Sequence, residues 1–259
     1  MAKTALITGA SKGIGRELAR CCAAAGHDLV LVARSADTLR ALAAELSEKH
    51  GISARAEAHD LTDPAAPAAL LASLEQAGVP VDILINNAGF GDTGTFHTLD
   101  NSRQVGQIDL NVRALTDLTH RFLPAMVDRG WGRVLNIAST AGFQPGPFMA
   151  VYYATKAYVI SFSEAIHQEL KGTGVTVTAH CPGATASEFS AVSGNDKTML
   201  FQKGSVAPAD AVAAHAYAAM MRGEAVPVHG TANAIGAFMV RFSPRWLVRS
   251  LTARVNSPA

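Results

Sequence analysis

Cysteine is scarce in this chain, with three in 259 residues, and those three do not form a disulfide framework. Cys21 and Cys22 are neighbours in a helical run, and Cys181 precedes a proline after a strand, a usage that fits a reduced, cytoplasmic setting. Charge is sparse as well. Charged residues make up 17% of the chain and the formal net charge is +1, which argues against a broad nucleic-acid footprint. No apolar run is long enough to span a bilayer. No signal peptide is expected, because strand-like sequence begins within a few residues of Met1. Internal repeats, low-complexity tracts and linkers are lacking too, and no metal site is expected. What is abundant is apolar side chain, 49% of residues, enough for a large core in one domain over 1–259.

Short β-rich runs alternate with longer helical ones. Residues 4–8, 28–33, 54–58, 83–86, 133–138 and 175–181 read as strands, with Val, Ile and Leu content suited to burial on both faces. Residues 14–25, 36–50, 65–76, 102–129 and 151–171 read as helices. Such β-α-β-α alternation marks an α/β fold with a parallel sheet covered by helices on both faces. Right-handed crossovers make it a doubly wound sheet. After Cys181 the alternation fails. Residues 184–208 are mixed and polar, a segment above the sheet that reads as a lid over substrate. Residues 232–255 read as a C-terminal helical extension, broken at Pro244 into two short pieces.

The run Thr8-Gly9-Ala10-Ser11-Lys12-Gly13-Ile14-Gly15 joins the first strand to the first helix. Glycines there permit a tight turn and close approach of backbone to a pyrophosphate, whose charge a helix N-terminus favours. Gly9, Ser11, Lys12, Gly13, Ile14 and Gly15 are therefore candidate cofactor contacts. The second strand ends at Ala33-Arg34, where a carboxylate would suit the ribose of NAD and an arginine suits the 2′-phosphate of NADP. Arg34 and Lys12, with no acid beside them, point to NADP(H), unless Arg34 merely faces solvent. Asp60 and Leu61 follow the third strand. Asp60 can accept from an adenine amino group or cap a turn with Thr62. Asn86-Asn87-Ala88-Gly89 closes the fourth strand, at the sheet end where ligands bind, with Asn86 supporting the cofactor and Gly89 admitting its backbone approach.

Tyr152 and Lys156 lie four apart on a predicted helix and so share a face. A unit charge about 4 Å away at an effective dielectric near 20 is worth about 4 kcal/mol. That could lower the tyrosine, whose ordinary pKa is about 10, by roughly 2–3 units. Ser139 ends the fifth strand, and Asn111 lies within the long helix 102–129.

With the glycine loop, Asn86–Gly89 and Pro182-Gly183, these residues resemble the short-chain dehydrogenase/reductase family in its roughly 250-residue branch. The resemblance runs in order from Thr4 to about Gly183. It implies a single-domain Rossmann fold and a hydride transfer between nicotinamide and a carbonyl or secondary alcohol. By the same resemblance Tyr152 is the general acid in reduction and Lys156 holds the nicotinamide ribose and lowers the tyrosine pKa. Ser139 bonds the substrate oxygen, and Asn111 holds a water linking Lys156 to solvent. Asn87, Ala88, Gly89, Pro182, Gly183 and Thr185 complete the cofactor contacts. A homodimer or homotetramer through the helices carrying Asn111 and Tyr152 is implied as well. A catalytically silent NADP-sensing protein of the same fold is the alternative.

Lid residues Phe189, Met199, Leu200 and Phe201 suggest a lipophilic ketone or 3-oxoacyl substrate, and only Lys197 and Lys203 are cationic there. Phe143, Phe148 and Met149 either wall an apolar pocket or pack against core or a subunit. The C-terminal stripe of Arg241, Arg245 and Arg249 beside aromatics can lie on an acidic membrane, act as a lid or contact a subunit.

Overall fold

The computed structural model describes residues 2–195, 198 and 206–257. Its organising element is β1 (Thr4–Thr8), buried along its whole length. Successive side chains of a strand point to opposite faces. Ala5 and Ile7 accordingly enter one apolar cluster and Leu6 the other. The same division recurs in β2 (Asp28–Ala33), where Leu29 and Leu31 face one side and Val30 and Val32 the other. With β3 (Ala54–Ala58), β4 (Ile83–Asn86), β5 (Gly132–Ile137) and β6 (Val175–His180), these form a six-stranded sheet in the order β3-β2-β1-β4-β5-β6. All its pairings are parallel, with Ile7 level with both Leu31 and Ile85.

Helices cover both faces. On one lie α1 (Gly13–Ala24) and α2 (Ala36–His50), joined later by a helix at Ala209–Arg222. On the other lie α3 (Ala66–Gln76) and the helices at Leu115–Asp128 and Ala150–Glu169. The expected α/β doubly wound sheet is therefore the observed fold.

β3 departs from the expectation of strands buried on both faces. Its sequence carries Arg55 and Glu57, which pair with each other, and it forms the sheet edge. Charges on an edge strand discourage pairing with another chain. The helix expected over 102–129 is also not continuous. It runs as α4 (Asn101–Ile108), a π-helical stretch Asp109–Ala114, and α5 (Leu115–Asp128). The widened turn accompanies the inward anchoring of Asn111, described below; π turns of this kind recur at functional sites.

α6 (Ala150–Glu169) leads into β6, after which come α7 (Glu188–Ser193), α8 (Ala209–Arg222), α9 (Thr231–Met239) and α10 (Arg245–Asn256). Thr185–Ala186 and Ala207–Pro208 form a two-stranded parallel pair. The expectations for Lys197, Met199, Leu200, Phe201 and Lys203 fall outside the described residues. Between α9 and α10 a 3₁₀ turn, Val240–Phe242, precedes Pro244, which caps α10. Among the described residues no helix is long and apolar enough to cross a membrane. Nor does any group of three or more His, Cys, Asp or Glu there have the geometry to hold a metal ion.

Candidate active site

From β1 the chain winds outward through β2 and β3, then returns to β4 and winds the other way. The crevice between the carboxyl ends of β1 and β4 is thus a topological switch point, where open α/β sheets bind ligands. A cavity of about 690 Å³ lies there. Nearly every residue singled out from the sequence reaches it. From the nucleotide end come Gly9, Ser11, Lys12, Gly13, Ile14, Arg34, Asp60, Leu61, Asn87, Ala88 and Gly89. From the catalytic end come Ser139, Tyr152, Lys156, Pro182, Gly183 and Thr185. Gly15 and Asn111 do not line it.

The glycine loop is held open by its neighbours. Gly9 and Gly13 adopt φ of +66° and +54°, which side-chain-bearing residues seldom reach. Gly15 instead lies beneath the loop, where a Cβ would collide with the Gly9 carbonyl and the Asn87 amide. Lys12 occupies the N-cap of α1 without capping it, and no acidic residue stands in the first turn. Amide donors at the helix start are therefore left to an anion.

Asn87 fastens the loop to β4, donating from Nδ2 to the Thr8 carbonyl at 2.9 Å and, more weakly, to that of Gly9 at 3.3 Å. Thr8 Oγ1 reciprocates by accepting from the N–H groups of Asn87 and Ala88, each at 3.0 Å. Asn86, expected to support the cofactor, faces the other way. Its Nδ2 donates to Thr119 Oγ1 and Asn136 Oδ1, in a buried polar chain that continues to Ser163. The period of two explains the correction, since adjacent strand residues cannot both face the crevice.

Arg34 and Lys12 are both exposed at the cavity rim, and neither is in a salt bridge among the described residues. Asp60 shows the turn-closing use expected of it. It lines the cavity and also closes a turn, accepting from Thr62 N–H and Oγ1. The Thr62 hydrogen bonds, helped by the Arg34 charge, hold its carboxyl below the usual range.

At the catalytic end, Ser139 Oγ accepts from Ala141 N–H at 3.1 Å and so caps a 3₁₀ turn. Tyr152 stands beside it, with Lys156 Nζ 5.7 Å from the tyrosine ring centroid and donating to the Ile137 carbonyl at 2.6 Å. The expected lowering of the tyrosine pKa is not what these surroundings produce. Burial pushes the Tyr152 phenol up, opposed by its hydrogen bond with Ser139. Burial also brings Lys156 down to about 8. Both groups have lost water, and that loss penalises the charged form of each.

Asn111 lies behind the cavity wall. Its Nδ2 donates to the Phe90 carbonyl at 2.9 Å and to Thr155 Oγ1 at 3.1 Å, while Oδ1 accepts from Phe90 N–H at 3.1 Å. The side chain is thus engaged in anchoring Phe90 and the catalytic helix. A Cβ on Gly89 would sit 2.9 Å from Asn111 Oδ1 and 3.8 Å from Lys156 Nζ. That close approach is the reason for glycine at this position.

The substrate side contains both anticipated and unforeseen residues. Phe189 packs on Tyr152 with ring centroids 5.3 Å apart, and Met149 is buried in the same wall. Phe143 lines a separate cleft. Phe148 adopts φ +66°, the one non-glycine residue in that region among those described, and its carbonyl accepts from Gly94 N–H. Residues not singled out individually from sequence include Phe90, Arg103, Glu188, Thr252 and Val255. The last two come from α10, which folds back over the site. Asn256 fixes that return by accepting from the Tyr153 hydroxyl at 3.1 Å and donating to the Pro147 carbonyl at 3.1 Å.

The family model described as short chain dehydrogenase matches residues 3–198. A ketoacyl reductase of Nostoc is 39% identical over 181 residues, covering 70% of this chain and 63% of the relative. A very-long-chain 3-oxoacyl-CoA reductase of Bos taurus is 31% identical over 247 residues, covering 94% of this chain and 76% of that protein. The solved short-chain dehydrogenase of Sphingobium yanoikuyae in complex with NADPH superposes with a TM-score of 0.83 at 37% identity, covering 93% of this chain and 94% of its own. A bulky-bulky ketone specific alcohol dehydrogenase from Comamonas testosteroni gives 0.78 at 31%, covering 93% and 92%. With the matched model spanning most of its length and the switch-point cavity in place, this chain belongs to the short chain dehydrogenases, a family of oxidoreductases.

Proposed function

We propose that the chain is an NADP(H)-dependent reductase of a lipophilic ketone or 3-oxoacyl group, also able to oxidise the corresponding secondary alcohol. The observation that carries this reading is the meeting of Ser139, Tyr152 and Lys156 with the glycine loop and Arg34 on one cavity. The residues fit the cofactor. The uncapped start of α1 suits a pyrophosphate, and Arg34 with Lys12 suits an additional phosphate on the adenosine ribose. The NADPH complex of the Sphingobium relative supports the same choice. Asp60, Leu61, Asn87, Ala88 and Gly89 would flank the adenosine half, and Pro182, Gly183 and Thr185 the nicotinamide half.

Bound NADPH supplies the hydride that reduces the carbonyl carbon. Tyr152, whose phenol is protonated at neutral pH, donates its hydroxyl proton to the carbonyl oxygen as that oxygen gains charge. Ser139 Oγ bonds the same oxygen and stabilises the charge developing there. Lys156, with its pKa brought to about 8, is the neighbouring group able to return a proton to the tyrosine. Asn111 is a positioning residue, holding Phe90 and α6 in register beneath Gly89.

The lipophilic substrate is inferred from Met149, Phe189, Leu251 and Val255 on the cavity wall. The very-long-chain 3-oxoacyl-CoA reductase and the bulky-bulky ketone specific alcohol dehydrogenase among its relatives agree with it. The lid reading of 184–208 draws support from Ser187 and Glu188, which lie against Gly13 of the glycine loop. A homodimer or homotetramer is supported by Val105, Ile108 and Tyr158, apolar or aromatic side chains exposed on α4 and α6. Purified protein incubated with NADPH and a panel of ketones, aldehydes and 3-oxoacyl thioesters tests the function. Loss of NADPH absorbance with bulky ketones or oxoacyl thioesters is expected. NADPH binding without turnover on any member would favour the silent sensor instead.

A further inference from the structure

We propose that α9 and α10 seat this protein on an anionic lipid surface, with the substrate end of the cavity turned toward the membrane. The charge pattern is one-sided. From residue 225 to the end the sequence contains Arg241, Arg245, Arg249 and Arg254 and no Asp or Glu. Most of the large apolar residues interleaved with them stand exposed rather than packed into the core. Phe242 is 69% exposed and Trp246 63%, with Ile235, Phe238, Met239 and Leu251 also exposed. Phe238 and Phe242 touch each other, ring centroids 5.1 Å apart, and so form one continuous surface. Packing does not require them there, because α10 is already held through Val248, Thr252 and Asn256, which are buried.

An exposed apolar surface rimmed by arginine has the composition of an interfacial element, whose apolar side chains enter the headgroup boundary while cations meet anionic lipid. A second copy fits less well. A two-fold contact would set the same arginines against each other with no carboxylate on the patch to neutralise them. The position of the element adds a second, independent reason. Leu251, Thr252 and Val255 of α10 line the catalytic cavity, so the helix whose outer side carries Trp246 also forms the cavity wall. A cleft of about 430 Å³, lined by Phe143, Pro145, Pro147 and Arg245, adjoins it. A lipophilic carbonyl dissolved in a bilayer would then reach Tyr152 without crossing water. That last step rests on the proposed function; the docking itself does not.

The test is flotation of the full chain with vesicles of phosphatidylcholine mixed with phosphatidylglycerol, and with phosphatidylcholine alone. Retention on the anionic vesicles only, weakened by salt, is expected. Arg241→Gln and Arg249→Gln should each weaken partitioning about fivefold. The pair Phe242→Ser and Trp246→Ser should abolish it even at low salt. Thermal melting and NADPH fluorescence of each variant confirm that the fold is intact. Absence of retention on anionic vesicles overturns the proposal, as does retention indifferent to both sets of substitutions. So does a self-association in sedimentation velocity that Trp246→Ser removes while vesicles retain nothing. Because the readout is binding, a chain that floats but reduces nothing would refute the proposed reaction and leave the docking standing.

Discussion

At its switch-point end the cavity is lined by one glycine-rich loop and the residues that follow β2, β3 and β4, whereas at its substrate end it is walled by apolar side chains from segments far apart in sequence. Gly9, Gly13 and Gly89 at the first end have no room for a side chain, since a Cβ on each would lie 2.8, 3.1 and 2.9 Å from a neighbouring atom, and reciprocal bonds between Thr8 and Asn87 lock the loop. Met149, Phe189, Leu251 and Val255 at the second end come from three separate helices or their caps. The contrast separates two kinds of recognition. Backbone geometry suits a ligand part that never varies, such as a pyrophosphate, and tolerates almost no substitution. A wall of apolar side chains suits a variable ligand and yields to substitution in small steps.

Substitutions at the two ends should therefore differ in size. The largest effect on binding is expected at Gly15. Gly15→Val forces the loop off the helix at a cost of about 3 kcal/mol, read as a depressed melting temperature with loss of NADPH binding by fluorescence. Arg34→Ala comes next. Losing a charge-assisted bond to phosphate costs about 1.5–3 kcal/mol, so NADPH should bind roughly ten- to a hundredfold more weakly, with NADH little changed. Equal weakening of both cofactors would show that Arg34 does not read the extra phosphate. At the opposite end, Leu251→Trp should raise KM for bulky ketones several-fold and spare small ones. An even loss across sizes would mean the wall does not select by shape.

His180, at the end of β6 before Pro182-Gly183, donates to or accepts from His215 Nδ1 at 2.9 Å, with His229 close by. Burial, reinforced by the neighbouring imidazoles, lowers its pKa from 6.5 to about 3. Between those values the unfolded chain binds a proton that the folded chain does not. The contribution is intact above pH 6.5 and is lost as pH falls toward 3. Melting temperature should drop over that window in the native protein and drop less in His180→Gln. The smallest effect is expected from Glu188, whose Oε2 would lie 3.5 Å from a Cβ on Gly13. Glu188→Gln should tighten NADPH binding a few-fold by removing a negative charge from the approach of the phosphates.

The same contrast decides what could be read from the sequence. The doubly wound sheet and the glycine loop were legible because period-two burial and glycine spacing are local signals, visible in residues 4–15. Asn86 and Asn87 could not be told apart by type, only by strand parity, and the reading of Asn86 as a cofactor support failed on that point. The π turn at Asn111 left no local signal, since its anchors, Phe90 and Thr155, lie 21 and 44 residues away. Thr252 and Val255 were invisible as cavity residues for the same reason. Their place depends on Asn256 meeting Tyr153, 103 positions earlier. The Tyr152–Lys156 spacing was legible, but the shift in their pKa values was not. Burial sets its direction, and burial is a property of the whole fold.

Tyr152 is proposed to deliver the proton in a reaction whose cofactor is held mainly by other residues of the same cavity. Measuring Tyr152→Phe for NADPH affinity and single-turnover rate, on the ketone most active with the native protein, addresses it directly. NADPH binding within a few-fold of native is expected, with a rate lower by about 10²–10⁴. A near-native rate, or a loss of activity fully explained by lost NADPH binding, would contradict it.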